Sequence, residues 1–142
     1  MAQLLETYSY TAEGYRPLVE FNSWRVAYLN YIHELDPAKI TRVEKHIETD
    51  EVFVLLKGEA VLYIGEGTES LGKLTAQRLK PYTLYNVKMG TWHAIVLSLD
   101  ATILLVENHD TGEKNSAFCD LDHKQKEFIQ SVAREELPKW WS

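Results

Sequence analysis

Cysteine is almost absent: Cys119 is the only one in 142 residues. A lone thiol cannot close an internal disulfide or build a cysteine zinc cluster, and the usage suits a reducing compartment. Positive charge is in deficit as well. The 15 Lys and Arg stand against 21 Asp and Glu, a net charge of −6. Affinity for nucleic acid comes from clustered Lys and Arg, so no nucleic-acid partner is expected. No apolar run approaches the roughly 18 residues of a membrane-spanning helix. The opening Met1-Ala2-Gln3-Leu4-Leu5-Glu6 has no basic stretch leading into an apolar one, so neither a targeting signal nor a membrane partner is expected. A cytoplasmic location is the expectation. Internal repeats, linker composition and low-complexity segments are also missing. What remains is ordinary globular composition, 45% hydrophobic and 25% charged. A chain of this length buries roughly 68–70% of its unfolded surface, so one domain over 1–142 needs no metal merely to fold.

The first dozen residues are polar and mixed and read as an arm or a partner-exchanged segment. From Tyr15 onward the chain reads as strands, with a core over about 15–118. Trp24 to His33 is rich in aromatic and branched residues, as strands are. Asp36-Pro37 is a break. A strand is expected over 40–47, and a short apolar one over 51–56 that ends at Lys57-Gly58-Glu59. With a return strand over 60–64, a hairpin is the economical reading. Further strands are expected over 77–80, 84–88, 92–97 and 101–107. Short strands spaced by roughly 8–12 residues mark an all-β sandwich or barrel. The period then changes. Phe128, Ile129, Val132, Ala133 and Leu137 form a helical stripe, with Asp120 or Asp122 as N-cap and Pro138 as stop, so a C-terminal helix is expected over about 120–137. The adjacent Trp140 and Trp141 are expected to be packed, on this subunit or a neighbour.

Of the five histidines, two sit among carboxylates or turns at informative spacing. Strand side chains alternate faces, so Glu44 and His46 project to one side, and Glu51, opening the next strand, can face them. His93 follows the turn residue Gly90. These stretches resemble the two motifs of the cupin family. In the first, Glu44 and His46 take the places of paired histidines, four residues intervene, Glu51 is the glutamate, and Gly58 lies seven beyond. In the second, Gly90 and His93 match. Glu44 stands for a histidine, Lys88 for a proline, Tyr82 for the leading glycine and Leu97 for an asparagine, which are departures. The resemblance spans roughly residues 24–107.

The resemblance implies a double-stranded β-helix, the small jelly-roll barrel, with the polar side chains of both motifs meeting at its mouth. It implies His46, Glu51 and His93 as ligands of a divalent metal, with Glu44 as a fourth and Glu48 as a lower-ranked substitute if a bulge turns it inward. Two imidazoles and a carboxylate suit iron, manganese, nickel or zinc and leave positions open; a second carboxylate favours the harder ions. Tyr63, Tyr85 and Trp92, with Tyr82, are candidates for lining a substrate pocket, core packing being the commoner use of such residues. Arg25 and Arg42 read either as partners of a substrate carboxylate or phosphate or as surface salt bridges. His33, His109 and His123 read as exposed, and Cys119 as a small buried residue. Three functional readings follow. The first is a metal-dependent enzyme acting on a small polar metabolite, such as a sugar or a hydroxy or oxo acid, by isomerase- or lyase-type chemistry. The second is a non-catalytic ligand-binding or regulatory protein. The third is an assembly role as a homodimer built on edge strands and the Tyr/Trp-rich ends.

Overall fold

The computed structural model describes residues 4–142, so Met1, Ala2 and Gln3 of the expected arm lie outside the described residues. Ten strands and one α-helix follow in chain order: β1 (Gly14–Phe21), β2 (Trp24–Asn30), β3 (Arg42–His46), β4 (Glu51–Lys57), β5 (Ala60–Gly65), β6 (Leu74–Arg78), β7 (Leu84–Val87), β8 (Trp92–Leu97), β9 (Thr102–Asn108), β10 (Ser116–Asp120) and α1 (His123–Glu136). They form two five-stranded sheets, ordered β1-β2-β9-β4-β7 and β10-β3-β8-β5-β6. The named strand pairs are antiparallel. This is the all-β jelly roll with a C-terminal helix that the motifs imply.

The inner faces meet in one apolar cluster. Ala27, Phe53, Leu55, Val87, Ile103 and Leu105 come from the first sheet and Ala60, Leu62, Ile95 and Leu97 from the second. The outer face of the second sheet is covered. Val43, Val61, Tyr63, Trp92 and Val96 pack there against Ile129, Ala133 and Leu137. The helix starts at Asp122, whose carboxylate accepts from Gln125 N while the Gln125 side chain accepts from Asp122 N, a reciprocal cap. The Tyr63 hydroxyl donates to the Ile129 carbonyl at 2.8 Å. Trp140 Nε1 donates to Glu59 and Trp141 Nε1 to the Leu97 carbonyl, so both terminal tryptophans are held by their own subunit.

The hairpin expected between 51–56 and 60–64 does not form. β4 pairs with β7 and β9 in one sheet, β5 with β6 and β8 in the other. The Lys57-Gly58-Glu59 turn is real but is a corner between sheets. Gly58 has φ +78, and a Cβ there would lie 2.6 Å from the Ala101 Cα. The corner is tied to the loop after β8 by Ser98 N donating to the Glu59 carbonyl and Glu59 N donating to Ser98 Oγ. The strand expected at 77–80 lies instead at β6, and β10 was not among the expected strands. Cys119, on that edge strand, is half-buried rather than buried. Among the described residues no helix is long and apolar enough to cross a membrane.

Candidate metal centre

Strand parity builds the site. On β3, Val43 faces the helix side, so Glu44 and His46 face inward. On β8, Trp92 packs outward and His93 inward. On β4, Glu51 shares the face of Phe53 and Leu55, which lie in the inner core. Glu44 is the ladder partner of His93, and Gly90 N donates to the His46 carbonyl at 2.8 Å, so the turn before β8 is seated on the end of β3. Asp50, next to Glu51, accepts from Asn86 Nδ2, Lys88 Nζ and Met89 N at 2.7–3.0 Å. That network binds the same turn from the other side, with Lys88 where the cupin motif has proline. Tyr82, at the place of the motif's leading glycine, keeps a left-handed backbone at φ 63.

Both imidazoles converge on one carboxylate oxygen. His46 Nε2 lies 3.1 Å from Glu51 Oε1 and His93 Nε2 lies 3.2 Å from the same atom. All three side chains are buried. Their far nitrogens are anchored: His46 Nδ1 contacts Ser116 Oγ at 2.8 Å, and His93 Nδ1 lies 3.0 Å from the Thr91 carbonyl. A carbonyl only accepts, so His93 Nδ1 carries the proton and Nε2 presents a lone pair when the ring is neutral. That Nε2 is buried and has no hydrogen-bond partner among the described residues. A lone pair aimed at a carboxylate oxygen is met by a proton or by a metal ion between them, and the donor set fits a divalent metal. Glu44, His46 and His93 form one set of three donors within 4.8 Å of one another, and His46, Glu51 and Glu107 form another.

Glu107 was missed by the sequence reading. It shares the inner face of β9 with Ile103 and Leu105 and is 6% exposed. Arg25 Nη2 donates to Glu107 Oε2 at 2.6 Å and the Tyr15 hydroxyl to the same oxygen at 3.3 Å. Arg25 also donates to the carbonyls of His109 and Thr111 at 2.8 and 3.0 Å. It is therefore tied by hydrogen bonds to an interior carboxyl and two carbonyls, and is not a surface salt bridge. Burial, followed by the hydrogen bond and charge of Glu51, pushes the Glu107 carboxyl up to about 8 against the opposing pull of Arg25. For Glu51, burial works upward, but the imidazoles of His46 and His93 and the contact with Glu107 outweigh it and hold this carboxyl below its usual range. Burial lowers His46, yet its hydrogen bond to Glu51 and the surrounding carboxylates leave it above its ordinary value. The two glutamates thus divide their roles, Glu51 ionised and Glu107 protonated.

These groups sit at the bottom of a cup of about 580 Å³. Its walls include Leu29, Phe53, Ile95 and Leu105, and Lys39, Arg42 and Phe118 stand among its lining residues, with Arg42 stacked over the Phe118 ring at 4.0 Å. The aromatic lining expected of Tyr63, Tyr85 and Trp92 is not found. Tyr63 and Trp92 point into the helix-side cluster, and Tyr85 packs on the inner core with its hydroxyl accepting from Lys80 N. The reason is parity: next to an inward His93, Trp92 must face out. Glu48 is exposed, its carbonyl accepting from Asn108 Nδ2, and it belongs to neither donor set. His33, His109 and His123 are exposed, as expected.

Neither a family model nor a curated protein sequence matches the chain. Solved structures do match. Pac13 from Streptomyces, described as a nucleoside dehydratase and crystallised with uridine, is 12% identical, with 82% of this chain and 93% of that one covered and a TM-score of 0.53. The capsular polysaccharide assembling protein CapF from Staphylococcus aureus is 11% identical at a TM-score of 0.54, with 80% of this chain covering 34% of CapF. A cupin-2 domain protein from Shewanella frigidimarina is 18% identical at a TM-score of 0.48, covering 70% and 85% of the two chains. The double-stranded β-helix of this chain is the cupin fold.

Proposed function

We propose that the chain is a small single-domain metalloprotein of the cupin type. It binds a divalent metal through His46, Glu51 and His93, with Glu44 beside them in the place of the motif's other histidine, and acts on a small polar metabolite by isomerase- or lyase-type chemistry. The observation that carries this reading is the convergence of two anchored imidazoles on Glu51 Oε1, one of them with a buried, unpartnered Nε2. When bound, such an ion supplies Lewis acidity toward a carbonyl or hydroxyl of the substrate. The chain's own residues do the rest. Phe53, Ile95 and Leu105 keep part of the cup apolar, and Tyr15, Arg25 and Glu107 form a hydrogen-bonded polar wall beside the imidazoles. Lys39 and Arg42 place cationic groups along the cup, suited to a ligand carboxylate or hydroxyl-rich ring. That the same fold carries a nucleoside dehydratase is compatible with this substrate class.

The test is elemental analysis of protein purified without chelator, with metal titration of wild type, His46→Ala and His93→Ala. Wild type should carry or take up about one equivalent, and both variants should lose it. A wild type that holds no metal and takes none up overturns the reading.

We propose a homodimer formed through the outer face of the first sheet. Ladder partners there form two apolar rows, Val26–Val106–Val52 and Tyr28–Leu104–Val54–Leu84, half-buried or exposed, whereas α1 covers the corresponding face of the second sheet. A two-fold pairing of this face would be isologous. Light scattering should give a dimer for wild type and a monomer for Leu104→Lys; a monomeric wild type overturns it.

A further inference from the structure

Glu107 lies on β9, outside both histidine-bearing stretches, yet it reaches the same centre. Arg25 and Tyr15 both engage its Oε2, which leaves Oε1 as the oxygen they do not hold. Its carboxylate is one of three donors, with His46 and Glu51, that lie within 4.8 Å of one another, all from buried residues. Glu44, by contrast, stands at the cup wall with 43% of its side chain exposed, and its nearer oxygen is 4.0 Å from His93 Nε2. Two buried carboxyls facing one another, with little water to solvate them, are met either by a shared proton or by a cation between them. His93 Nε2, buried and unpartnered beside Glu51 Oε1, is an independent sign that a positive species belongs at this point.

We propose that Glu107 is a metal ligand, completing a donor set of His46, Glu51, His93 and Glu107 in which Glu44 is dispensable. This rests on the metal reading given above and adds a ligand that neither motif contains. Arg25 and Tyr15 are then positioning residues that hold Glu107 toward the ion, as hydrogen-bonded neighbours commonly orient metal-ligating side chains. Two imidazoles with two carboxylates favour Mn²⁺ or Fe²⁺ over a thiolate-preferring use of zinc.

The test is calorimetric titration of the chelator-stripped full chain with MnCl₂, comparing wild type with Glu107→Gln, Glu44→Gln and His46→Ala. Glu107→Gln should weaken binding by at least about tenfold, the lower bound even for residues that only orient ligands, and Glu44→Gln by less than about threefold. If Glu107→Gln binds within threefold of wild type, the inference is overturned, whether or not Glu44→Gln loses affinity. If both variants weaken, Glu107 stands as a ligand and the dispensability of Glu44 falls. A wild type that binds no Mn²⁺, or a His46→Ala that binds as wild type does, brings down the underlying metal reading instead. The visible spectrum of bound Co²⁺ separates ligation from mere structural support. Its band positions should shift in Glu107→Gln, and in Glu107→Asp, which keeps a charge for Arg25, should the Gln variant not fold. An unshifted spectrum in the folded variant overturns the inference.

Discussion

The buried carboxylate pair makes the chelated protein's stability depend on pH in an unusual direction. Glu107 sits at about 8 in the folded state against an ordinary 4.5, through burial and the adjoining Glu51. Between those values the folded chain holds a proton that the unfolded chain has released. Stability from this group is therefore fully present below about pH 4.5 and is lost as pH rises toward 8, with a slope of roughly 1.4 kcal/mol per pH unit in the middle of the window. Other shifted groups fall outside the decisive interval. Glu51, held low, contributes above the ordinary carboxylate value and loses that contribution only in acid. His46, held high, contributes below 6.5 and loses its share above that. From pH 5 to pH 6.5 Glu107 accounts for most of the difference in bound protons between the folded and unfolded chain, so wild type in EDTA should lose about 2 kcal/mol of unfolding free energy. Glu107→Gln keeps the shape and hydrogen-bonding capacity without the proton, and its loss over the same interval should fall below about 0.5 kcal/mol. Urea unfolding followed by circular dichroism resolves the difference, since linear extrapolation carries roughly 10–15% uncertainty. Wild-type stability that is flat or rises from pH 5 to 6.5, or a variant with the same slope as wild type, would refute the shared-proton account.

Gly58→Ala should destabilise by on the order of 3 kcal/mol or more, since a left-handed φ is combined with a Cβ driven into the Ala101 backbone; thermal unfolding reads it. Tyr63→Phe should cost about 1 kcal/mol through loss of the Ile129 hydrogen bond, with metal uptake unchanged because the residue lies on the helix side. Asp50→Asn should reduce metal affinity by freeing the turn that carries Lys88, Met89 and Gly90, measurable by the same titration. Three hydrogen bonds, Lys88 first, hold the Asp50 carboxyl at about 2, so its contribution is present above the ordinary carboxylate value and disappears as pH falls toward 2. Acid unfolding of the variant should accordingly lack that step.

How much of this was legible in the sequence depends on where each strand's two faces look. β4 was read only as a short apolar run, and its burial on one face is what places Glu51 with Phe53 and Leu55; on β3 strand parity alone placed Glu44 with His46. β5 and β8 are buried on both faces, one by the inner core and one by α1. Burial alone therefore gives no parity there, and Tyr63 and Trp92 were put on the wrong side of the sheet. A reference residue repairs this: once His93 is taken as inward, Trp92 must face outward. The same rule applied to β9 would have found Glu107, two residues beyond Leu105 and four beyond Ile103, and applied to β2 would have put Arg25 inside with Ala27. An acid and a base at inward positions of different strands are poor candidates for solvent-facing charges and should pair across the interior, as these do. The corner at Gly58 and the edge strand β10 were beyond such reasoning. A turn signal shows that the chain reverses, not which sheet it enters next. Ser116–Asp120 carries Ala117, Phe118 and Cys119 in a row with no alternation, and its strand geometry depends on pairing with β3, where Ser116 stands opposite His46. That register is what brings Ser116 Oγ to His46 Nδ1, so one anchor of the proposed centre comes from a strand that local sequence pattern could not reveal.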